Sequence, residues 1–543
     1  MKQLTQFAAC AIAALSVVAC SSEDSAQQDN AKQNTAKGVA TFDGSQPGNN
    51  TRALTRTTAT YTLGGDAKVF WTSADKIFVQ DDANTFHQSN AANLYNPSNK
   101  AKATFSLASG SFTLNNREVR YTGENGTDAN TVTIASTQTQ TTANDFSHLG
   151  TSGDCGTATA TGSNGNYTFT LNHKASYLCF VPRCMNTDLG PNIKLTKIKV
   201  TADQPIAGKY DFSTGSLAQK AGETYSNTVT LNTSDFSLNT TSSSLATNGA
   251  YMVVAPGTYN FTITYTIKDP TTNVEGDIVK TISGYNCQEG KINDITANLT
   301  PTDYDGTYYM WDAYQNFWAG HEWNTFPEAN RLQSTLKGQR TTNFPTMSDV
   351  NRWFNTAFTF GGITNATHNP LFSALPNGNI LHWYVRKGDP HWDDQTIWST
   401  MGHLYKGGMW FKKAGKIAVE NGTTVQAMSE GYYGWDMRTS NAYSPLILTP
   451  IPNVSSLSSK ADYFYLPALG RIDYVGEPPH TTEYVFRGLG DHGLYPSSSG
   501  SAWRDLGMIS FGFSKDSIEF DNRWSRYCLL YTSPSPRDGL LSR

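Results

Sequence analysis

The sequence is short of charge. Only 16% of its 543 residues are Asp, Glu, Lys or Arg, and the net charge is -4. A nucleic-acid binder needs a concentrated basic face, and none is present, so nothing points to nucleic acid as a partner. Long apolar runs are also lacking. The one clear run, Phe7 to Ala19, is interrupted by Ser16 and falls short of the ~20 residues a membrane-spanning helix needs; it has the size of the apolar core of a secretory signal peptide. Catalytic signatures are missing as well. No H-E-x-x-H pair, G-x-S-x-G elbow, Walker loop or Cys/His nucleophile arrangement is present. No metal, cofactor or reaction is therefore read from the chain. Any two carboxylates could converge as a glycosidase pair, but nothing promotes a particular pair. Cysteines are few. Of the seven, Cys10 lies in the leader and Cys20 closes it, while Cys155, Cys179, Cys184 and Cys287 lie in the body. Those four do not have zinc-site spacing. Two disulfides and four small buried residues are both open readings.

What is present begins at Leu15–Asp24, LSVVACSSED. Val17-Val18-Ala19-Cys20 resembles a bacterial lipobox. The resemblance implies that Cys20 is acylated, that residues 1–20 are removed, and that the chain meets a membrane through its lipid. Acyl chains contribute ~0.8 kcal/mol per buried CH₂. Glu23 and Asp24 resemble the signal that places Bacteroidetes lipoproteins on the outer face of the outer membrane. At the other end, Cys528 to Arg543 (CLLYTSPSPRDGLLSR) resembles a reading frame of a transposon-end sequencing adapter and is set apart from the fold.

Length allows roughly two or three domains. Of twelve tryptophans only Trp71 precedes residue 300, and seven of ten histidines follow it. That composition shift puts a boundary at ANLTPTDYDG. The chain divides into a signal peptide (1–20), an exposed linker or propeptide (21–60), a β-rich region (61–300), an aromatic-rich region (301–527) and the odd tail (528–543). In TYNFTITYTIKD, Tyr259, Phe261, Ile263, Tyr265 and Ile267 alternate with Asn260, Thr262, Thr264 and Thr266, which predicts a half-buried strand. In NIKLTKIKVTAD the apolar parity switches between Leu195 and Ile198. A slip of one residue would turn half the strand inside out, so a bulge is expected at Thr196-Lys197. KIFVQ, YTFTL and SYLCFVP read as further strands. Many short strands with polar turns predict a sandwich.

Trp71, Asp75 and Ile77 in FWTSADKIFVQ are similar to the W-x-x-x-D-x-I-x-V opening of fimbrillin-like proteins of the Bacteroidales. HKASYLCFVP, IKVTADQPIAGKYDF, GAYMVVAPGTYNFTITY and GKINDITANL follow in that family's order. The resemblance implies two successive transthyretin-like β-sandwiches and assembly into a type V pilus by strand complementation. In that family a trypsin-like protease removes an N-terminal strand after a basic residue. NNTRALTRTTATY offers Arg52 and Arg56 for that cut.

Residues 301–527 are expected to be α+β. After Pro345, Val350, Trp353, Phe354, Ala357 and Phe358 fall at helical spacing, predicting a helix capped by Thr346 or Ser348. GMISFGF and SIEFDNRW predict a hairpin through Ser514-Lys515-Asp516. DYFYLPALGRIDY and GLGDHGLYPSSSGSAWRDLGMISFGF resemble C-terminal domains of Bacteroidetes surface and pilus-tip proteins, which implies a C-type-lectin-like fold. Pro496 stands where that pattern carries tryptophan. His321, His382, His391 and His403, with Asp389, Asp393 and Asp394, cluster in sequence without metal-site spacing. Glu477 in GEPPH is a poor match to a calcium-dependent sugar motif. Aromatic rings remain as the means of recognition: Trp383, Trp392, Trp398, Trp410, Tyr433 and Tyr495 are the ligand-binding candidates. The leading expectation is a fimbrial subunit, accessory or tip, that adheres to a surface protein or glycan and catalyses nothing. The alternative is an outer-membrane glycan-binding lipoprotein that does not polymerise.

Overall fold

Alternation in TYNFTITYTIKD becomes the strand Gly257–Asp269, with Tyr259, Phe261, Ile263, Tyr265 and Ile267 all buried. The computed structural model describes residues 40–46, 61–64, 70–96, 99–325, 332–341, 344–440, 444–446, 451–476, 483–528 and 530–531. Cys20, Arg52, Arg56 and Glu477 lie outside the described residues. The opposite face of Gly257–Asp269 is only half solvated, because Thr264 and Thr266 are buried too. Thr266 donates to Asp277 Oδ1 at 2.7 Å, so its hydroxyl is satisfied by the neighbouring strand. The bulge falls where the parity switch predicts: the register of Lys194–Ala202 shifts between Leu195 and Lys197 against both neighbours.

The molecule is mainly β. The first unit is one sheet of nine strands, centred on Ala40–Ser45, Asn99–Leu107, Gly156–Ser163 and Asn166–Thr170. It closes on a core of Phe42, Trp71, Ile77, Val79, Phe105, Tyr121 and Phe169. The second unit packs the sheets built on Ser176–Arg183 and on Lys194–Ala202 around Tyr177, Phe180, Ile198, Met252 and Ile263. The two units are interlaced. Thr131–Ile134 and Thr137–Gln140 pair within the second unit before Gly156–His173 completes the first. Cys155, Cys179, Cys184 and Cys287 are free thiols, all buried.

The third unit starts at Thr302–Tyr304, which pairs in parallel with Trp398–Thr400. It holds short helices, including Gly378–Lys387, against a large, mostly antiparallel sheet that includes the hairpin Gly507–Ser514 and Ile518–Ser525. The helix expected after Pro345 is absent. Residues 346–353 form turns, with one helix-type bond from Trp353 N to Asp349 O. Tertiary bonds take the backbone instead: Asn351 O accepts from Gln315 N, and Asn355 N donates to Trp311 O. Val350 of the supposed apolar face is exposed. The odd tail is not wholly outside the fold. Cys528 is buried, and Leu530–Tyr531 pairs with Tyr308–Tyr309.

Candidate functional site

The N-terminal strand is seated in the middle of a sheet. Ala40–Ser45 pairs antiparallel with Asn99–Leu107 on one side and parallel with Asn166–Thr170 on the other. Among the described residues every other pair in that sheet is antiparallel. A parallel pair cannot be closed by a hairpin and needs a long connection, and both partners of this strand lie far along the chain from it. Its inward residues are Ala40, Phe42, Gly44 and Gln46, all buried. Phe42 stacks on Tyr167 with centroids 4.7 Å apart and meets Phe112 edge-on. Full burial of such a ring is worth about 1.5–3 kcal/mol.

Two anchors bracket residues 47–60. On one side, Gln46 N donates to Ala101 O at 3.1 Å and Gln46 Oε1 lies 2.9 Å from His173 Nε2. On the other, Tyr61 donates its hydroxyl to Asp294 Oδ1 at 2.6 Å, and Gly64 N reaches Asp294 Oδ2 at 2.7 Å. Burial, then Asp294, pushes the Tyr61 phenol well above its ordinary range. Arg52 and Arg56 lie between these anchors in sequence. A cut at either arginine separates the strand from the rest of the chain while Tyr61 keeps its hold on the second unit.

Beside this groove sits a buried polar group. Asp75 accepts from Thr72 N at 2.6 Å and from the Tyr121 hydroxyl at 2.7 Å. Burial raises its carboxyl to about 6. Trp71 lies edge-on to Phe105, Tyr121 and Phe169. The W-x-x-x-D-x-I-x-V motif is thus a core signature: Trp71 and Ile77 fill the first unit, and Asp75 fastens the turn between them.

The aromatic candidates of the third unit are mostly interior. Trp383, Trp392, Trp398 and Tyr495 are buried. Trp383 donates to Gly431 O, Trp398 to Gly407 O, and Tyr495 to Pro467 O. Trp410 is half-buried, bonded to Asp393 and covered by the Lys460 ammonium 4.4 Å from its ring. These five serve packing: Trp392 is enclosed, and the polar handles of the other four already have internal partners. Tyr433 alone stands out, at 60% exposure. The reading from sequence missed its neighbour Trp435, at 74%, and also Phe360 and Trp503. Tyr432 and Trp435 exchange backbone bonds of 2.8 and 3.1 Å around Tyr433-Gly434, whose φ angles are +48° and +86°. Two left-handed residues at a two-residue turn are the type I′ geometry. The signal was G-Y-Y-G-W, with aromatics set between glycines. Trp503 Nε1 donates to Thr439 O at 3.0 Å, and Phe360 lies edge-on to Trp503. The segment from Trp435 to Thr439 thus links the two aromatic groups. Asp436 within it accepts a two-pronged bond from Arg438 and one from Asn379.

The histidines do not converge. His382 is buried against Tyr432 and Phe520, and burial followed by Arg386 pushes its imidazole down to about 4. His391 meets Ser456, and His403 meets Asp269. Among the described residues no three His, Cys, Asp or Glu side chains gather as a metal site, and no helix is long and apolar enough to cross a membrane.

No family model matches the chain, and none of the curated proteins does. Among solved structures, the chain is similar to a candidate cell adhesion protein of Bacteroides ovatus (15% identity, TM-score 0.30, 48% of this chain and 92% of that one). Another, from Bacteroides uniformis, gives 15% identity and a TM-score of 0.27 over 48% of this chain and 95% of that one. A fimbrial protein of Bacteroides ovatus matches at 10% identity and TM-score 0.22, covering 92% of this chain and all of that one. These scores are too low to carry function across, so the functional reading rests on the groove and the surface just described.

Proposed function

We propose that this chain is a cell-surface fimbrial subunit, an accessory or tip adhesin that joins its neighbours by strand exchange. The observation that carries the reading is the parallel strand Ala40–Ser45 in mid-sheet, followed at once by the segment bearing Arg52 and Arg56. Before the cut, the strand occupies the groove and keeps the subunit monomeric. After it, loss of the strand would leave Asn99–Leu107 and Asn166–Thr170 with facing unpaired edges, a template for a partner strand. On this reading Cys20 carries the lipid that delivers the precursor to the outer membrane, and the third unit recognises a surface protein or glycan without catalysing a reaction. N-terminal sequencing of surface material tests the cut. Chains beginning at Ala53 or Thr57, in association with filaments, are the expected result; only acylated Cys20 on a monomer would sink it. A second reading, a glycan-binding lipoprotein that stays on its anchor, is favoured by the exposed Tyr433 and Trp435 rings. Retention of a single uncut, membrane-bound form that binds oligosaccharide would select it.

A further inference from the structure

We infer that the groove holding Ala40–Ser45 reads a specific peptide pattern, aromatic-x-glycine-x-carboxamide, in whatever strand comes to fill it. This rests on the strand-exchange reading above and names the partner's chemistry. Three inward positions set the pattern. At Phe42, a flat slot is formed by Tyr167 stacked at 4.7 Å and Phe112 edge-on at 5.6 Å. At Gly44, a Cβ would come within 2.6 Å of Phe169 Cζ and 3.1 Å of Phe105 Cε2. Both rings are buried in the same core and themselves pack against Trp71, so any larger residue has to displace them, and glycine is the residue that fits without doing so. At Gln46 the floor of the groove turns polar.

That polar floor is a chain of buried groups at the junction of the two units. Gln46 Oε1 faces His173 Nε2 at 2.9 Å, His173 Nδ1 faces Asp154 Oδ1 at 2.8 Å, and Tyr177 donates its hydroxyl to the same Asp154 oxygen. Gln46, Asp154 and Tyr177 are all buried, and the His173 side chain nearly so. With His173 Nδ1–H given to Asp154, the remaining ring nitrogen needs a partner. A carboxamide serves either form of the ring: its oxygen accepts from a protonated Nε2, and after a flip its NH₂ donates to an unprotonated one. An apolar side chain satisfies neither, leaving a buried ring nitrogen unpaired. Asp43, by contrast, points outward and is exposed.

The test uses the full chain nicked by trypsin, stripped of its own strand by a denaturant wash and refolded. The probe is a fluorescent synthetic peptide of sequence KGVATFDGSQPG, residues 37–48, followed by anisotropy. The native peptide is expected to enter, with Asp43→Asn within two-fold of it. Gly44→Val and Gln46→Leu should enter roughly ten-fold more weakly or worse, the scale of overpacking for the first and of one unsatisfied buried polar group for the second. His173→Phe in the protein should erase the preference for Gln46 over leucine. If the native peptide enters and both substituted peptides enter equally well, the pattern is overturned while strand exchange stands. If His173→Phe leaves the preference intact, the polar floor is not the reader and that part falls. If the native peptide never enters the emptied groove, strand exchange and the pattern fall together.

Discussion

At the scale of single residues, burial decides what each group can do. Asp75 holds its proton up to about pH 6 because it is enclosed. Its folded-state value is raised, so its contribution to stability is fully present below the ordinary 3.8 and fades as pH rises through about 6. A shift of this size corresponds to about 3 kcal/mol. Asp75→Asn should therefore gain on the parent by about 2 kcal/mol between pH 4 and pH 7, read by urea melts at each pH. Phe42→Ala removes a fully buried ring and should cost the uncut chain ~3–5 kcal/mol. The same melts measure it, and a loss under 1 kcal/mol would mean the strand contributes little to the first unit. Tyr433 carries the opposite lesson. Its φ of +48° is uncommon for a residue with a bulky side chain. Tyr433→Asn should leave stability unchanged or raise it by up to ~1 kcal/mol, while lowering binding to whatever ligand the tip of this turn contacts.

At the scale of elements, strands were far more legible than helices or exposed rings. The strict period of two placed Gly257–Asp269, and the parity switch at Leu195–Ile198 located the bulge, because a pleated strand must show one face to the core. The helical spacing of Val350, Trp353 and Phe354 was equally regular and did not make a helix. There, carbonyls and amides of residues 351 and 355 are claimed by Gln315 and Trp311, partners that no local window contains. The candidate site shows the same limit. Arg52 and Arg56 were visible as basic residues in a polar stretch, but the seat of the strand before them was not, since its partners lie at Asn99–Leu107 and Asn166–Thr170. Aromatic residues gave no sign of which way they faced: Trp398 is enclosed and Trp435 is open, with the same side chain. An element-level prediction follows from the groove. Gly44→Val in the uncut chain should loosen the seated strand, so that trypsin frees the N-terminal fragment measurably faster on a gel than from the parent.

At the scale of the molecule, the third unit is fastened to the second rather than strung from it. Asp269 is fully buried and accepts from His403 Nδ1 at 2.9 Å and from Leu404 N at 3.0 Å. Thr272 donates back to Leu404 O, and Asn192 donates to Gly402 O. Ile397 and Leu404 of the third unit belong to the hydrophobic core of the second. Asp269→Ala removes the acceptor of His403 Nδ1, Leu404 N and Thr271 N and should cost several kcal/mol, of order 1–3 for each buried donor left unpaired. Faster proteolysis near residues 298–302, with the third unit otherwise intact, would register it.

The interlaced path of the first two units has a mechanical consequence. Among the described residues the backbone passes between them at least four times, between Gly64 and Trp71 and at residues 122–130, 153–155 and 174–175. A tensile load on a filament of such subunits would be shared among these covalent crossings, where beads on a single tether would carry it on one. Stretched in a force microscope, the pair should yield as one rupture rather than as two separate steps.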